Sequence, residues 1–215
     1  MKIVETINLN KNFGNNNILN DFNLCINEQE IITITGKSGC GKSTLLNIIG
    51  LLDECTSGSL FINGKQISKI TSKEAVLLRR YHIGYIFQNY ALIDRDTVEE
   101  NLKLALRYSS EKDNKGIIQQ ALAKVGLENY EKKKIYELSG GEQQRVAIAR
   151  VFIKPCSVIL ADEPTGSLDS ANKLLVLNLL EQLRQEGKAV IIVTHDLDIA
   201  ERFDRNIQLE SASAM

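Results

Sequence analysis

The chain has 215 residues, 43% of them aliphatic, aromatic or Cys and 25% charged, and its net charge is −1. These proportions exclude a disordered chain, a collagen-like chain and a disulfide-dense mini-protein. The near-zero charge offers no bulk basic surface for nucleic acid, and no run approaches the ~20 apolar residues of a membrane span. Residues 1–10 lack the basic flank and apolar core of a secretory signal. Cys25, Cys40, Cys55 and Cys156 are widely spaced, form no CxxC pair and are joined only by His82 and His195. A reduced chain without structural zinc is the expectation.

In chain order, Val4–Leu9 and Ile18–Ile26 read as antiparallel strands joined through Phe13–Asn17. Glu30–Thr35 is a β-branched strand stopping at Gly36, and a helix with Leu45, Leu46, Ile48 and Ile49 as its apolar stripe follows Lys42. Ser59–Ile62 and Ile83–Phe87 read as strands, with a helix over Ser72–Arg80 capped by Ser72. From about residue 89 to 155 only helices are expected, over Val98–Tyr108, Asn114–Val125 and Gly141–Ile153. Ser157–Ala161 and Ala189–Val193 are continuous apolar runs, as in strands buried on both faces of a parallel sheet. Between them Val176, Leu179, Leu180 and Leu183 mark a crossover helix. A last strand is expected at Ile207–Leu209, and the tail Ser211–Met215 is expected to fray. The organisation expected is one domain, 1–215, with a core of about 1–88 and 156–215 and an inserted helical subdomain of about 89–155.

Gly36, Lys37, Ser38, Gly39, Cys40, Gly41, Lys42 and Ser43 match G-x-x-x-x-G-K-[ST] at every fixed position, after a strand and before a helix. The glycines let successive backbone N–H groups turn toward phosphate oxygens, and the helix adds its positive end. Lys42 supplies a point charge for the β- and γ-phosphates, and Ser43 a hydroxyl for Mg²⁺. Thr44 completes the phosphate-binding set. A plain glycine turn is the bland alternative, and the complete motif in context argues against it. Cys40 sits near a helix N-terminus, a setting that lowers a thiol pKa, so alkylation that bound nucleotide prevents is one expectation; an inert small residue is the other.

Val158–Glu163 is a buried strand ending in two carboxylates. At the carboxyl end of a parallel strand beside a phosphate loop, Asp162 can hold the metal through water, and Glu163 can polarise the attacking water. Leu138–Arg145 (LSGGEQQR) opens another helix with Ser139 as cap and Gly140 and Gly141 clearing space, with Glu142 following. It is a second anion-binding helix end, or else only a well-capped helix.

With LSGGEQQR in place, the chain resembles the ATP-binding cassette (ABC) ATPase family over nearly its whole length, Val4 to about Leu209, with the motifs in the family's order. The resemblance implies an α/β P-loop NTPase fold: a RecA-like parallel core, an antiparallel β subdomain and an inserted helical subdomain. It implies ATP and Mg²⁺ as cofactors and ATP hydrolysis as the activity. Phe13 matches the aromatic position that stacks on adenine, where the family more often has Tyr. Gln88 looks like the glutamine linking Mg²⁺ and water to the membrane partner. Ser167-Leu168-Asp169 resembles the loop that crosses to the other subunit. His195 looks like the histidine that touches the γ-phosphate. ATP on Lys42 of one copy would be closed by Ser139–Glu142 of a second copy bound head to tail.

Ser57–Gly64, Leu78-Arg79-Arg80 and Ile83–Gln88 look like the macrolide- and lipoprotein-transporter branch, and Phe87–Asp94 with Thr97–Leu106 is most similar to exporters of bacteriocins or antimicrobial peptides. The implied partners are a separate membrane permease, docking near Gln88–Leu92, and a second copy of the chain, with no nucleic acid. The implied location is cytoplasmic, peripheral on the inner face of the membrane. An importer ATPase is the alternative. A chromosome or repair ATPase would need a long coiled-coil insertion, and a soluble P-loop kinase leaves Leu138–Arg145 unexplained. The phosphate loop departs from many relatives by having Lys37 and Cys40.

Overall fold

The computed structural model describes residues 1–109, 113–166, 168–203 and 205–210. Ser167 and the tail Ser211–Met215 lie outside them. A five-stranded all-parallel sheet has the order β6-β7-β8-β3-β9, formed by β3 (Ile31–Thr35), β6 (Ile83–Ile86), β7 (Val158–Asp162), β8 (Ala189–Val193) and β9 (Arg205–Gln208). A four-stranded antiparallel sheet has the order β2-β1-β4-β5, formed by β1 (Lys2–Phe13), β2 (Asn16–Asn27), β4 (Ser57–Ile62) and β5 (Lys65–Ile67).

The buried runs of β7 and β8 divide their side chains by the two-residue period of a strand. Ile159, Ala161, Val190 and Ile192 pack into one apolar cluster with α3 (Val98–Leu106), α4 (Asn114–Lys124), α5 (Gly140–Ile153) and α6 (Ser170–Gln185). Val158, Leu160, Ala189, Ile191 and Val193 face the other way, against α1 (Lys42–Ile49), α2 (Lys73–Tyr81) and the antiparallel sheet. The central strands are therefore apolar on both faces, which is why they read as unbroken runs. Each buried Val, Leu or Ile among them contributes about 1.5–3 kcal/mol of burial.

Ser72 caps α2 by accepting from the Ala75 N–H at 3.1 Å, as expected. Between Val98 and Ile153 the described residues form α3, α4, a 3-10 turn at Ile135–Glu137 and α5, with one isolated bridge between Thr97 and Lys134. Two elements were not expected: the three-residue edge strand β5 and the six-residue α7 (Leu197–Arg202). Both are too short to show a period.

The β1–β4 pairing slips between Ile7 and Asn10, where Asn8 has a left-handed φ of 46°. Gly58 fills this irregularity with φ +91°, and a Cβ there would overlap the Asn8 carbonyl. Gly58→Ala combines left-handed strain of about 1–2 kcal/mol with that overlap, so chemical denaturation should show a loss of at least that size.

Candidate active site

β3 ends at Thr35, and the loop to α1 turns through Gly39 (φ +80°) and Gly41 (φ +102°). A Cβ on Gly41 would lie 2.7 Å from Ile18 Cγ2, so only glycine lets β2 close against the loop. Lys42 is 8% exposed, and its Nζ donates to the Gly36 carbonyl at 2.8 Å and the Lys37 carbonyl at 3.1 Å. The ammonium thus ties the loop to itself. It would exchange two carbonyls for charge-assisted bonds when phosphate enters, and those are stronger.

The loop borders a cavity of about 590 Å³, to which Lys42, Ser43, Gln88, Tyr90, Glu163 and His195 contribute. Ser38, Gly39, Gly41 and Thr44 line it as well. Open glycine backbone, an α1 N-terminus and a buried ammonium in a space of that size suit a nucleotide's phosphates. Cys40 does not face the cavity. The residue is 2% exposed and packs in the apolar cluster with Leu45 and Leu46, while its backbone N–H donates to Lys37 at 3.2 Å. The expectation of a reactive thiol overlooked which way the loop turns that side chain.

β7 delivers the acidic pair. Ser43 Oγ donates to Asp162 Oδ1 at 3.3 Å, linking α1 to the end of β7 across the intervening strand β8. Burial pushes the Asp162 carboxyl above the ordinary range and the neighbouring Glu163 charge adds to this, while the Ser43 hydrogen bond and Lys42 oppose it. Among the described residues no group of three or more His, Cys, Asp or Glu could hold a metal ion alone. Ser43 and Asp162 are instead a pair of hard oxygen donors, suited to a cation that completes its shell with phosphates and waters.

Glu163 follows in a left-handed conformation, φ 45°, with its N–H donating to the Val193 carbonyl at 2.9 Å. Both carboxylate oxygens are held: Thr194 Oγ1 donates to Oε2 at 3.1 Å, and His195 Nδ1 lies 2.8 Å from Oε1. Because β8 lies between β3 and β7, its end brings Thr194 and His195 between the phosphate loop and Glu163. Thr194 was missed by sequence reasoning, although it adjoins His195.

Gln88 lies on the cavity in the segment after β6. Tyr90 and Ala91 there are left-handed, φ 63° and 48°, and Arg150 of α5 donates to both of their carbonyls, at 2.9 and 2.6 Å. A Cβ on Gly140 would lie 3.3 Å from the Tyr90 hydroxyl, so this segment also reaches the first turn of α5.

Other expected residues stand apart from the cavity in the single chain. Ser139 caps α5 in a reciprocal box: its Oγ accepts from Glu142 N–H at 3.3 Å, and Glu142 Oε2 accepts from Ser139 N–H at 2.8 Å. That backbone bond chiefly holds the Glu142 carboxyl below its usual range. Ser139, Gly140, Gly141 and Glu142 do not line the cavity. Asp169 caps α6 through Asn172, whose side chain also accepts from Arg145 at 2.7 Å and whose amide carbon lies 2.9 Å from where a Gly141 Cβ would stand. The caps of α5 and α6 are thereby joined. Phe13 sits at the tip of the β1–β2 hairpin, 53% exposed and paired with Asn16, two residues before the cavity-lining Ile18.

A family model described as "ABC transporter" matches residues 19–166. The chain is 41% identical over 214 residues to the macrolide export ATP-binding/permease protein MacB of Pasteurella multocida, covering 97% of this chain and 33% of that protein. It is 42% identical over 195 residues to the probable syringafactin export ATP-binding/permease protein SyfD of Pseudomonas syringae pv. syringae, covering 89% of this chain and 30% of that protein. The chain thus spans about one third of the length of these curated relatives. Among solved structures it is similar to the dimeric structure of MJ0796, a bacterial ABC transporter cassette, with a TM-score of 0.89 and 37% identity over 97% of this chain and 95% of that one. A post-hydrolysis dimer of the same cassette bound to ADP and Pi gives a TM-score of 0.87, with 37% identity and the same coverage.

The inward Cys40 thiol gives a direct test. N-ethylmaleimide on the native chain should leave Cys40 unmodified whether or not ATP is present, and should modify it after denaturation, as read by mass spectrometry of peptides.

Proposed function

The chain belongs to the ABC transporter family of ATP-binding domains, and on that footing we propose that two copies clasp ATP head to tail and drive a membrane permease that exports a peptide such as a bacteriocin, or another amphiphile. As a member of that family it is an ATPase. One observation carries the paired reading. Lys42, Ser43, Glu163 and His195 share a cavity, while the second phosphate-suited helix end at Ser139 lies outside it. A single copy therefore presents two half-sites, and a second copy makes each of them whole. That the similar MJ0796 cassette is dimeric supports a pairing of copies.

In this reading the glycine loop and α1 hold the β- and γ-phosphates, with Lys42 turning from the Gly36 and Lys37 carbonyls to phosphate oxygens. Ser43, Asp162 and Gln88 would hold Mg²⁺, which when bound would neutralise charge on the phosphates. Phe13 stacks on adenine. Glu163 accepts the proton of the water that attacks the γ-phosphate, and His195 and Thr194 fix its orientation while each oxygen keeps a lone pair for that water. Ser139, Gly140 and Gly141 of the partner copy close over the γ-phosphate and exclude solvent, and Asp169 meets the partner beside them. The core and the helical segment of about 89–155 act as two units of one domain.

No helix among the described residues is long and apolar enough to cross a membrane, so the permease lies outside them. It would dock in a groove of about 520 Å³ where Tyr85, Phe87, Leu104 and Tyr108 offer aromatic and apolar surface and Arg79, Arg80, Arg150 and Lys154 add positive charge. The groove adjoins Gln88, and Arg150 ties its Ala91 wall to α5, so a push there reaches both half-sites. In this reading the chain sits on the inner face of the membrane, held there by the permease. The export direction draws support from the export proteins that the chain resembles.

Removing the general base should separate binding from turnover. Glu163→Gln should lower kcat by about 10²–10⁴-fold, the usual contribution of a general base, and should give dimers in ATP on light-scattering chromatography. Undiminished hydrolysis removes Glu163 from the role.

A further inference from the structure

Lys11 is one of the few charged residues in the interior, 8% exposed, and it does not line the phosphate cavity. Its Nζ donates to Asp53 Oδ1 at 2.8 Å and to the Glu54 carbonyl at 2.7 Å, and lies 4.7 Å from the centroid of the Phe13 ring. Asp53 Oδ1 is itself fixed by the Glu54 N–H at 2.7 Å. Lys11 and Phe13 are two residues apart on β1, so their side chains share a face of the strand. Two of the three ammonium donors are used by the Asp53–Glu54 turn, and that anchorage sets the cation under the ring. Phe13 is half exposed nonetheless, so its ring remains open to solvent.

We propose that Lys11 is a positioning residue for nucleotide recognition: anchored by Asp53 and Glu54, its ammonium holds the Phe13 ring in place from beneath and polarises it for stacking on the adenine base. The proposal rests on the reading of Phe13 as the base platform. A cation on one face withdraws π-density, which favours stacking of an electron-rich base on the other. A ring already held in one rotamer also loses less freedom when the base arrives. Phe13 has no hydroxyl by which its ring could be anchored, and Lys11 supplies the constraint from below.

The test compares ATP with inorganic tripolyphosphate, which has the phosphates and no base, by calorimetry on the full chain. Lys11→Gln can still donate to Asp53 or Glu54 but carries no charge, and Lys11→Arg keeps the charge. Lys11→Gln should raise the Kd for ATP about fivefold, the size of a partly desolvated cation–π contact, and leave the Kd for tripolyphosphate unchanged. Lys11→Arg should restore ATP binding to within about twofold of the parent, the guanidinium being an equal partner for the ring. Phe13→Ala should weaken ATP binding alone, and adding Lys11→Gln to it should cost nothing further. Equal losses for ATP and tripolyphosphate, no loss for ATP, or full additivity with Phe13→Ala would each overturn the proposal. An unchanged Kd for ATP in Phe13→Ala alone would instead remove the adenine contact, and the role of Lys11 falls with it.

Discussion

A strand buried on both faces of a sheet can carry polar chemistry only at its ends, and β3, β7 and β8 release theirs at one edge. β3 turns into the phosphate loop, β7 ends in Asp162 and Glu163, and β8 runs into Thr194 and His195. The position of β8 between the other two decides how these groups meet. It separates the phosphate loop from Glu163 by one strand, and it sets Thr194 and His195 where they can grip both oxygens of that carboxylate. The left-handed turn at Glu163 follows, because the chain must leave β7 while its N–H still bonds to Val193. The apolar alternation of β7 and β8 holds this edge still from both sides.

The same economy leaves the chain with a second anion-suited end that its own phosphate loop does not use. Ser139 and Glu142 complete a reciprocal cap on α5, Asn172 joins that cap to Asp169 on α6, and Arg150 on α5 holds the carbonyls of Tyr90 and Ala91 beside Gln88. α5 is thus bonded to each segment that the proposed mechanism needs to move together. A shift of the Gln88 segment would be carried to Ser139 through one rigid helix, and from there to the nucleotide of a neighbouring copy.

Much of this was legible in the residues because the motifs are local. The phosphate loop, the acidic strand end and the capped α5 each lie in a short stretch whose chemistry is complete by itself. The long strands and helices showed their periods. What was illegible depended on long-range placement. The adjacency of β8 to both β3 and β7 is a tertiary fact, so Thr194 gave no signal beyond its nearness to His195. Cys40 occupies the right place for an activated thiol and is turned the wrong way, since loop geometry, not position relative to a helix end, decides where a side chain points. Asn172 joins elements 27 residues apart, Arg145 and itself, and nothing in its neighbours announces that. β5 and α7 were missed because three and six residues are too few to show a pattern.

The central claim is that the working site is built from two copies, and a mixing experiment addresses it most directly. Lys42→Ala leaves a copy with a sound Ser139 end but no phosphate lysine, and Ser139→Arg leaves a copy with the reverse defect. Each variant alone should be inert in steady-state ATP hydrolysis. Mixed together they should regain activity, because half of the pairs contain one site with both Lys42 and Ser139 intact. Ser139→Arg hydrolysing ATP by itself at the parent rate would contradict the account, as would a mixture no more active than its parts.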